Sequence, residues 1–317
     1  MDLQAQPLPF DSTALHGLSS KLLRSHHENN YGGAVKRLNA IRGQLAAVPL
    51  TSTAGFQLNG LKREELIATN SMLLHELYFA SLGGDAQAME PAMVLALTAS
   101  FGSVERWREE FTAMGKALGG GSGWVLLTFQ PREGTLVNQW AADHTHALAG
   151  GAPILALDMY EHAYHLDHGA AAGSYVDAFM DNIHWARVYE RYQQAVHAAS
   201  EPFGATQDEV AGSLLLDVRR AGVFDRAETM IPGAHWRDPS LVDGWARELA
   251  PDREWIVYCV YGHEVGRSTA MRLRAAGLNA RYLRGGIDGW QAAGRPLRAK
   301  PASLESVGAA CRPGHTR

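Results

Sequence analysis

Cysteine is nearly missing. Only Cys259 and Cys311 occur in 317 residues, too few for a disulfide framework. In a reducing compartment a lone thiol is either filler or chemistry. An excess of charge of one sign is missing too. The chain carries 29 basic against 33 acidic residues, a net charge of −4, and has no Lys/Arg run. That argues against a nucleic-acid partner or an acidic membrane surface. No apolar stretch approaches the length of a membrane span. The opening residues MDLQAQPLPF place an acid where a secretory leader has basic residues, and no apolar region follows; the expectation is a cytoplasmic protein. Internal repeats and low-complexity tracts are also absent. What is present is a globular composition, 46% hydrophobic and 20% charged, with mean hydropathy −0.18. The length suits two domains better than one.

The pattern along the chain agrees. A helical run extends from Leu15 to about Ala47, with Ser19 or Ser20 as its cap, and a second covers Glu64 to about Leu82. PAMVLALTASFG and SVERWREEFTAMGKAL follow as two more helices. Ser103 is the N-cap of the latter, and Glu105 complements the helix dipole. GGGSGWVLLTFQ, GTLVNQWAADH and APILALD then read as strands between glycine turns, and SYVDAFMDNIHWARVYERYQQAVHAA as a last helical stretch that closes the first unit. The polar stretch 201–213 suits a linker. Beyond it LLLDV, REWIVYCV, GRSTAMRLRAAG and ARYLRGG alternate strand and helix, which predicts a parallel-sheet α/β domain. The expected division is therefore 1–200, a linker 201–213, a domain 214–298 and a loose tail 299–317, within an α/β multi-domain fold.

The first 200 residues hold 11 of the 14 histidines, so abundance identifies no ligand. Leu18 and Leu22 stand four apart, and the next residue on that helical stripe is His26 rather than His27. His75 interrupts the apolar segment SMLLHELYF. Asp158 ends the greasy strand ILALD, and His162 follows four residues later. Burying an acid is costly unless a cation meets it. Three imidazoles and a carboxylate are a common ligand field for iron, manganese or zinc. Spacing alone leaves structural histidines as an open alternative. His16, His165, His168, His184 and His197 fit solvated or packing roles.

DMYEHAY, PLPFDSTALHGLSSKLLRSHHENN, LTASFGSVERWREEF and GSGWVLL together resemble the iron/manganese superoxide dismutase family over about residues 7–198. That resemblance implies His26, His75, Asp158 and His162 as ligands of one Fe or Mn ion per subunit, in a helical hairpin followed by an α/β half. It implies a homodimer in which Glu161 bonds to the partner's ligand histidine and Tyr164 lies at the interface. Three neutral imidazoles and one carboxylate leave such a site net positive, which attracts the small anion superoxide. AADHTHAL resembles the family's element that hydrogen-bonds the bound solvent, so His144 is the candidate there and His146 the alternative. The chain departs from the family at Asn30 and Ala34, where a gateway histidine and tyrosine are expected, and Tyr31 does not share their helical angle. Tyr160 and Leu126 stand in place of tryptophans. SHHENNYGGAVKRLN is similar to the branch found beside chromate-resistance genes.

Cys259 ends a hydrophobic strand, with a helix expected about seven residues on. Backbone N–H groups and a helix N-terminus there lower a thiol's pKa and favour an adjacent anion. A buried, inert cysteine is the alternative reading. LLLDVRR, IPGAHW, IVYCVYGHE and YLRGGIDGWQAAGRPL resemble the rhodanese-like family across 208–298, which implies that Cys259 carries transferred sulfur. Where many members have an arginine five residues after the cysteine, this chain has Glu264, which repels thiosulfate. A persulfide donor or an oxyanion remains as partner. Arg219 is a weak anion contact, and Cys311 an incidental thiol. The expected activity is superoxide disproportionation to oxygen and hydrogen peroxide, with sulfur transfer or anion binding at Cys259. The alternative is a metal-binding dimer scaffold whose main activity is a persulfide carrier in the second domain.

Overall fold

The computed structural model describes residues 2–83 and 88–301, in two compact units. One comprises the residues up to Gln130 with Leu136–Tyr192; the other comprises Pro131–Thr135 with the chain from Gln193 on. Cys311 lies outside the described residues. Among those described, no helix is long and apolar enough to cross a membrane.

The first unit begins with α1 (Ser20–Ser25), capped by the Ser19 hydroxyl, which accepts from the Leu22 amide at 3.1 Å. The chain then widens into a π-helical turn, His26–Tyr31, before continuing as α2 (Gly32–Ala47). After a short connection comes α3 (Gly55–Ser81), which packs along α2 as the second arm of a helical hairpin. Helices α4 (Pro91–Phe101) and α5 (Val104–Ala117) follow, and Ser103 caps α5 through the Arg106 amide at 3.0 Å, as expected.

Strands β1 (Trp124–Gln130), β2 (Thr135–Ala141) and β3 (Ala152–Asp158) form a sheet in the order β2-β1-β3. β1 and β3 are antiparallel, and their register sets Trp124 opposite Asp158. All but one residue of β1 is buried, so it carries a continuous apolar run rather than an alternating one. Helices α6 (His165–His168), α7 (Ala172–Asp181) and α8 (Trp185–Ser200) complete the unit and lead into the next.

The closing helical stretch expected from the sequence is two helices. The break is at Asn182, whose side chain captures the backbone of His16 on both sides, accepting from its N–H at 3.1 Å and donating to its carbonyl at 2.7 Å. His184 N–H donates to Ser81 O at 2.7 Å instead of continuing the helix. The apolar stripe runs on across this break, so periodicity does not reveal it.

The second unit is a five-stranded parallel sheet. Its strands are β4 (Gly204–Ala205), β5 (Leu214–Asp217), β7 (His235–Trp236), β8 (Glu254–Tyr258) and β9 (Asn279–Leu283), in the order β4-β9-β8-β5-β7. Between them lie α9 (Ala221–Arg226), β6 (Thr229–Met230), α10 (Val242–Trp245) and α11 (Glu264–Ala275); α12 (Gly286–Ala292) and β10 (Arg298–Ala299) follow β9. The α/β character expected of this half is present. Two edges differ from expectation. Within the stretch expected as a linker, Gly204 and Ala205 join the sheet beside β9. At the other end β10 pairs with β6, and the Lys300 ammonium donates to the carbonyls of Phe224 and Asp225 at 2.8 Å, so Ala299 and Lys300 are held rather than loose.

One glycine fixes how the first sheet meets the functional region. Gly123, at φ +136°, precedes β1, and a Cβ there would collide with the Ala141 carbonyl. Its own carbonyl accepts from Met159 N–H at 2.9 Å, which ties the start of β1 to the end of β3. Gly123→Ala should destabilise the protein by about 3 kcal/mol, through strain and a collision with rigid backbone. Urea unfolding followed by circular dichroism checks this, with Gly55→Ala, at an open position, as the control.

Candidate metal centre and thiol loop

Four side chains from four elements of the first unit meet at the end of β3. His26 comes from the π-helical turn, His75 from α3, Asp158 from the last position of β3 and His162 from the turn just beyond it. Asp158 Oδ2 is approached by three imidazole Nε2 atoms, of His26 at 3.0 Å, His162 at 3.2 Å and His75 at 3.4 Å. One ligand atom from each of the four lies within 4.8 Å of all the others. His26, His75 and Asp158 are each at most 1% exposed, while the His162 side chain is 26% exposed.

Hydrogen bonding fixes what His75 can offer. Its Nδ1 lies 2.6 Å from the Ser71 carbonyl, which only accepts, so the proton is on Nδ1 and Nε2 presents a lone pair. That lone pair faces Asp158 Oδ2 at 3.4 Å and His162 Nε2 at 3.4 Å. Burial lowers the His75 pKa to about 3, against the pull of Asp158, so the ring is neutral. Burial likewise lowers His26. Burial alone would raise Asp158, but the His162 imidazole and the hydrogen bonds from His162 and His26 hold it below the usual carboxylate range.

The result is a buried anion beside imidazole lone pairs, which the hydrogen bonds of His26 and His162 do not all satisfy. A cation among them satisfies all of them. Donors about 2.1 Å from a shared ion stand roughly 3.0–3.6 Å apart at ordinary coordination angles, which is the spacing of Asp158 Oδ2 from the three Nε2 atoms and of His75 from His162. The residues fit an iron or manganese ion.

Aromatic rings wall the cluster. Tyr78 and Phe79 each lie 5.0 Å from the His26 ring, Trp124 packs edge-on to His75 at 5.3 Å, and Tyr160 stacks on His162 at 5.4 Å. The buried Tyr175 hydroxyl donates to the Asp158 carbonyl at 2.7 Å.

Of the two candidates for the neighbouring donor, the structure sets His144 by the cluster and His146 away from it. The His144 ring lies 6.2 Å from that of His75 and stacks on Tyr160 at 4.8 Å. The Trp124 indole donates to His144 Nδ1 at 3.0 Å, which leaves Nε2 as the donor. Burial lowers the pKa of His144. His146 instead packs on exposed Trp140. Glu161 is exposed, and Tyr164 is buried against Tyr175.

Tyr31 is closer to the site than its helical angle predicts. The π-helical turn carries i to i+5 nearly back to one face, and the Tyr31 ring lies 6.5 Å from that of His75. Its hydroxyl accepts from Gln6 N–H at 2.7 Å and donates to Glu76 Oε1 at 2.8 Å. Trp124, Tyr78 and Ser71 were also not singled out from sequence. Their signals were present in GSGW and at offsets of +3 and −4 from His75 on one helix face.

With this geometry in place, comparison with known proteins is decisive. Over 193 residues the chain is 64% identical to an iron superoxide dismutase of Cupriavidus metallidurans, covering 61% of this chain and 98% of that protein. The chain belongs to the iron/manganese superoxide dismutase family. Residues 89–191 match the family's C-terminal domain model. A manganese superoxide dismutase of Halobacterium salinarum is 38% identical over 205 residues, covering 61% of this chain and 96% of that protein. An iron enzyme of Aquifex pyrophilus is 32% identical over 192 residues, covering 58% and 88%. Residues 203–293 match the rhodanese-like domain model, so the chain joins a rhodanese-like domain to the dismutase-like one.

In that rhodanese-like domain Cys259 follows β8 directly, and α11 begins five residues on rather than seven. Gly286, at φ +57°, lets the backbone close over Val260 and Cys259, whose carbonyls a Cβ there would strike. The expected lowering of the thiol pKa is overturned. Burial pushes the Cys259 thiol up and the Glu264 carboxylate adds to this, against backbone N–H groups of Gly266, Gly262 and His263 that pull the other way. Glu264 is itself buried and accepts from Gln193 Nε2 at 3.2 Å. Arg219 is engaged by Asp217 and the Thr229 carbonyl, and Arg267 by Gly262 O, Ser200 and Glu201, so both guanidinium groups serve the structure.

The histidine shifts give a pH dependence with a definite sign. An unfolded histidine binds a proton below about 6.5, whereas folded His75 stays neutral to about 3. Metal-free protein should therefore lose stability as pH falls from 6.5 towards 3, and depressed Asp158 adds to the loss at the acid end of that window. Urea midpoints in chelator at pH 7 and pH 5 check this; His75→Gln should flatten the difference.

Proposed function

We propose that this protein disproportionates superoxide to oxygen and hydrogen peroxide at a mononuclear centre held by His26, His75, Asp158 and His162. The observation that carries the reading is the convergence of three imidazole Nε2 atoms on the buried Asp158 Oδ2. Relatives spanned almost end to end by the same residues are superoxide dismutases. Bound iron or manganese would supply the one-electron couple that oxidises one superoxide and reduces the next. Both metals accept this donor set, and relatives of both kinds match.

The chain's own residues do the rest. Asp158 and the neutral imidazoles leave the centre net positive, drawing in a small anion through low-dielectric surroundings. His144, with its tautomer set by Trp124, presents an N–H donor beside the centre and holds a proton there. Tyr78, Phe79, Trp124 and Tyr160 exclude water from the ligand rings. Asn30 and Ala34 leave that task without the gateway pair expected of the family.

A homodimer closing over Glu161 and the partly exposed His162, and a cytoplasmic location, belong to the same reading. So does a division near residue 200, with the second domain taking in β4 and running to about 298. For that domain the proposal is that Cys259 binds sulfur or an oxyanion. A persulfide carrier as the main activity is the weaker reading, because the thiol is buried and its pKa raised.

Superoxide consumption by protein of known metal content is the test. His75→Ala should lose most of its metal and at least a hundredfold in rate. Cys259→Ser should keep the parent rate. Full metal occupancy without turnover in the parent would contradict the reading.

A further inference from the structure

The metal centre leaves one cavity of the first unit unused. Its volume is about 310 Å3, with Leu73, Leu77 and Leu126 among its apolar walls and Asn70, Gln139 and His146 as its polar ones. That size lies at the small end of small-molecule sites. No Asp, Glu, Lys or Arg lines it.

Each polar group is half spent. Asn70 donates through Nδ2 to the His144 carbonyl at 2.5 Å, which leaves its Oδ1 as an acceptor. Gln139 Oε1 accepts from Thr128 Oγ1 at 3.1 Å, leaving the Nε2 donors. His146 Nδ1 accepts from Ala142 N–H at 3.1 Å, which places its proton on Nε2. None of these remaining atoms has a hydrogen-bond partner among the described residues. One acceptor and two kinds of donor beside an apolar wall match a hydroxyl on a hydrocarbon body. They do not match a carboxylate or an ammonium, for which the lining offers no counter-charge.

We propose that this cavity binds a small uncharged aromatic alcohol of one or two rings. Its hydroxyl lies among Asn70, Gln139 and His146, and its ring against the leucines.

Isothermal titration calorimetry of the full-length metal-loaded protein with 2-naphthol tests this, with the anion 2-naphthoate as control. The expected result is one site per chain with a Kd on the order of 0.1 mM, and binding of the anion at least tenfold weaker. Leu73 is 49% exposed, so Leu73→Trp can enlarge the side chain without disturbing the core. It should weaken 2-naphthol at least tenfold. His146→Phe, which removes one donor at an exposed position, should weaken it about threefold or more while superoxide consumption is unchanged. Absence of saturable binding overturns the proposal, whether the cavity is too shallow or a second copy of the chain closes it. Equal affinity for the anion, or unchanged affinity in both variants, overturns it as well.

Discussion

A carboxylate with no exposure to water, facing three imidazoles, sets the terms for the first unit. Asp158 is costly where it lies, and among the described residues no lysine or arginine pairs with it to repay the cost. His26, His75 and His162 do so in part, and a shared cation does so fully. Much of the surrounding structure serves that requirement. The β1–β3 register brings Trp124 opposite Asp158, Tyr175 secures the Asp158 carbonyl, and Ser71 fixes the one tautomer of His75 that turns a lone pair inward. Removing any one histidine would leave a buried charge short of partners, so site and fold are not separable here.

Three of the four candidate ligands stand out in the sequence because each interrupts an apolar pattern that burial would otherwise fill, while His162 is marked only by its place four residues after Asp158, and the set as a whole by the family resemblance. His26 takes a leucine's place on a helical stripe, and Asp158 ends a greasy strand. The parallel α/β half was legible from alternation of strand and helix. Other features depend on contacts that periodicity does not encode. The π-helical turn that brings Tyr31 towards His75 changes the helical angle over six residues only. The break between α7 and α8 is made by Asn182 reaching the backbone of His16, far away in sequence.

Cys259 teaches a related lesson about sign. A thiol near the start of a helix reads as activated, and Glu264 was visible five residues later. What the sequence does not show is depth. Burial of the sulfur raises its pKa, a buried neighbouring carboxylate adds to that, and the two outweigh three backbone N–H groups. The guanidinium groups of Arg219 and Arg267 are committed to Asp217 and Glu201. The two domains therefore differ in how far residues translate to chemistry: in the first, donor atoms converge, while in the second a single thiol sits in a loop that favours its neutral form.

The central claim is that Asp158 and three Nε2 atoms share one ion. Anomalous diffraction from crystals of the purified protein, recorded across the iron and manganese absorption edges, tests it most directly. The expected result is one peak per chain, within bonding distance of Asp158 Oδ2 and of the Nε2 atoms of His26, His75 and His162. A peak bound elsewhere, or an empty cluster in protein that consumes superoxide, would contradict it.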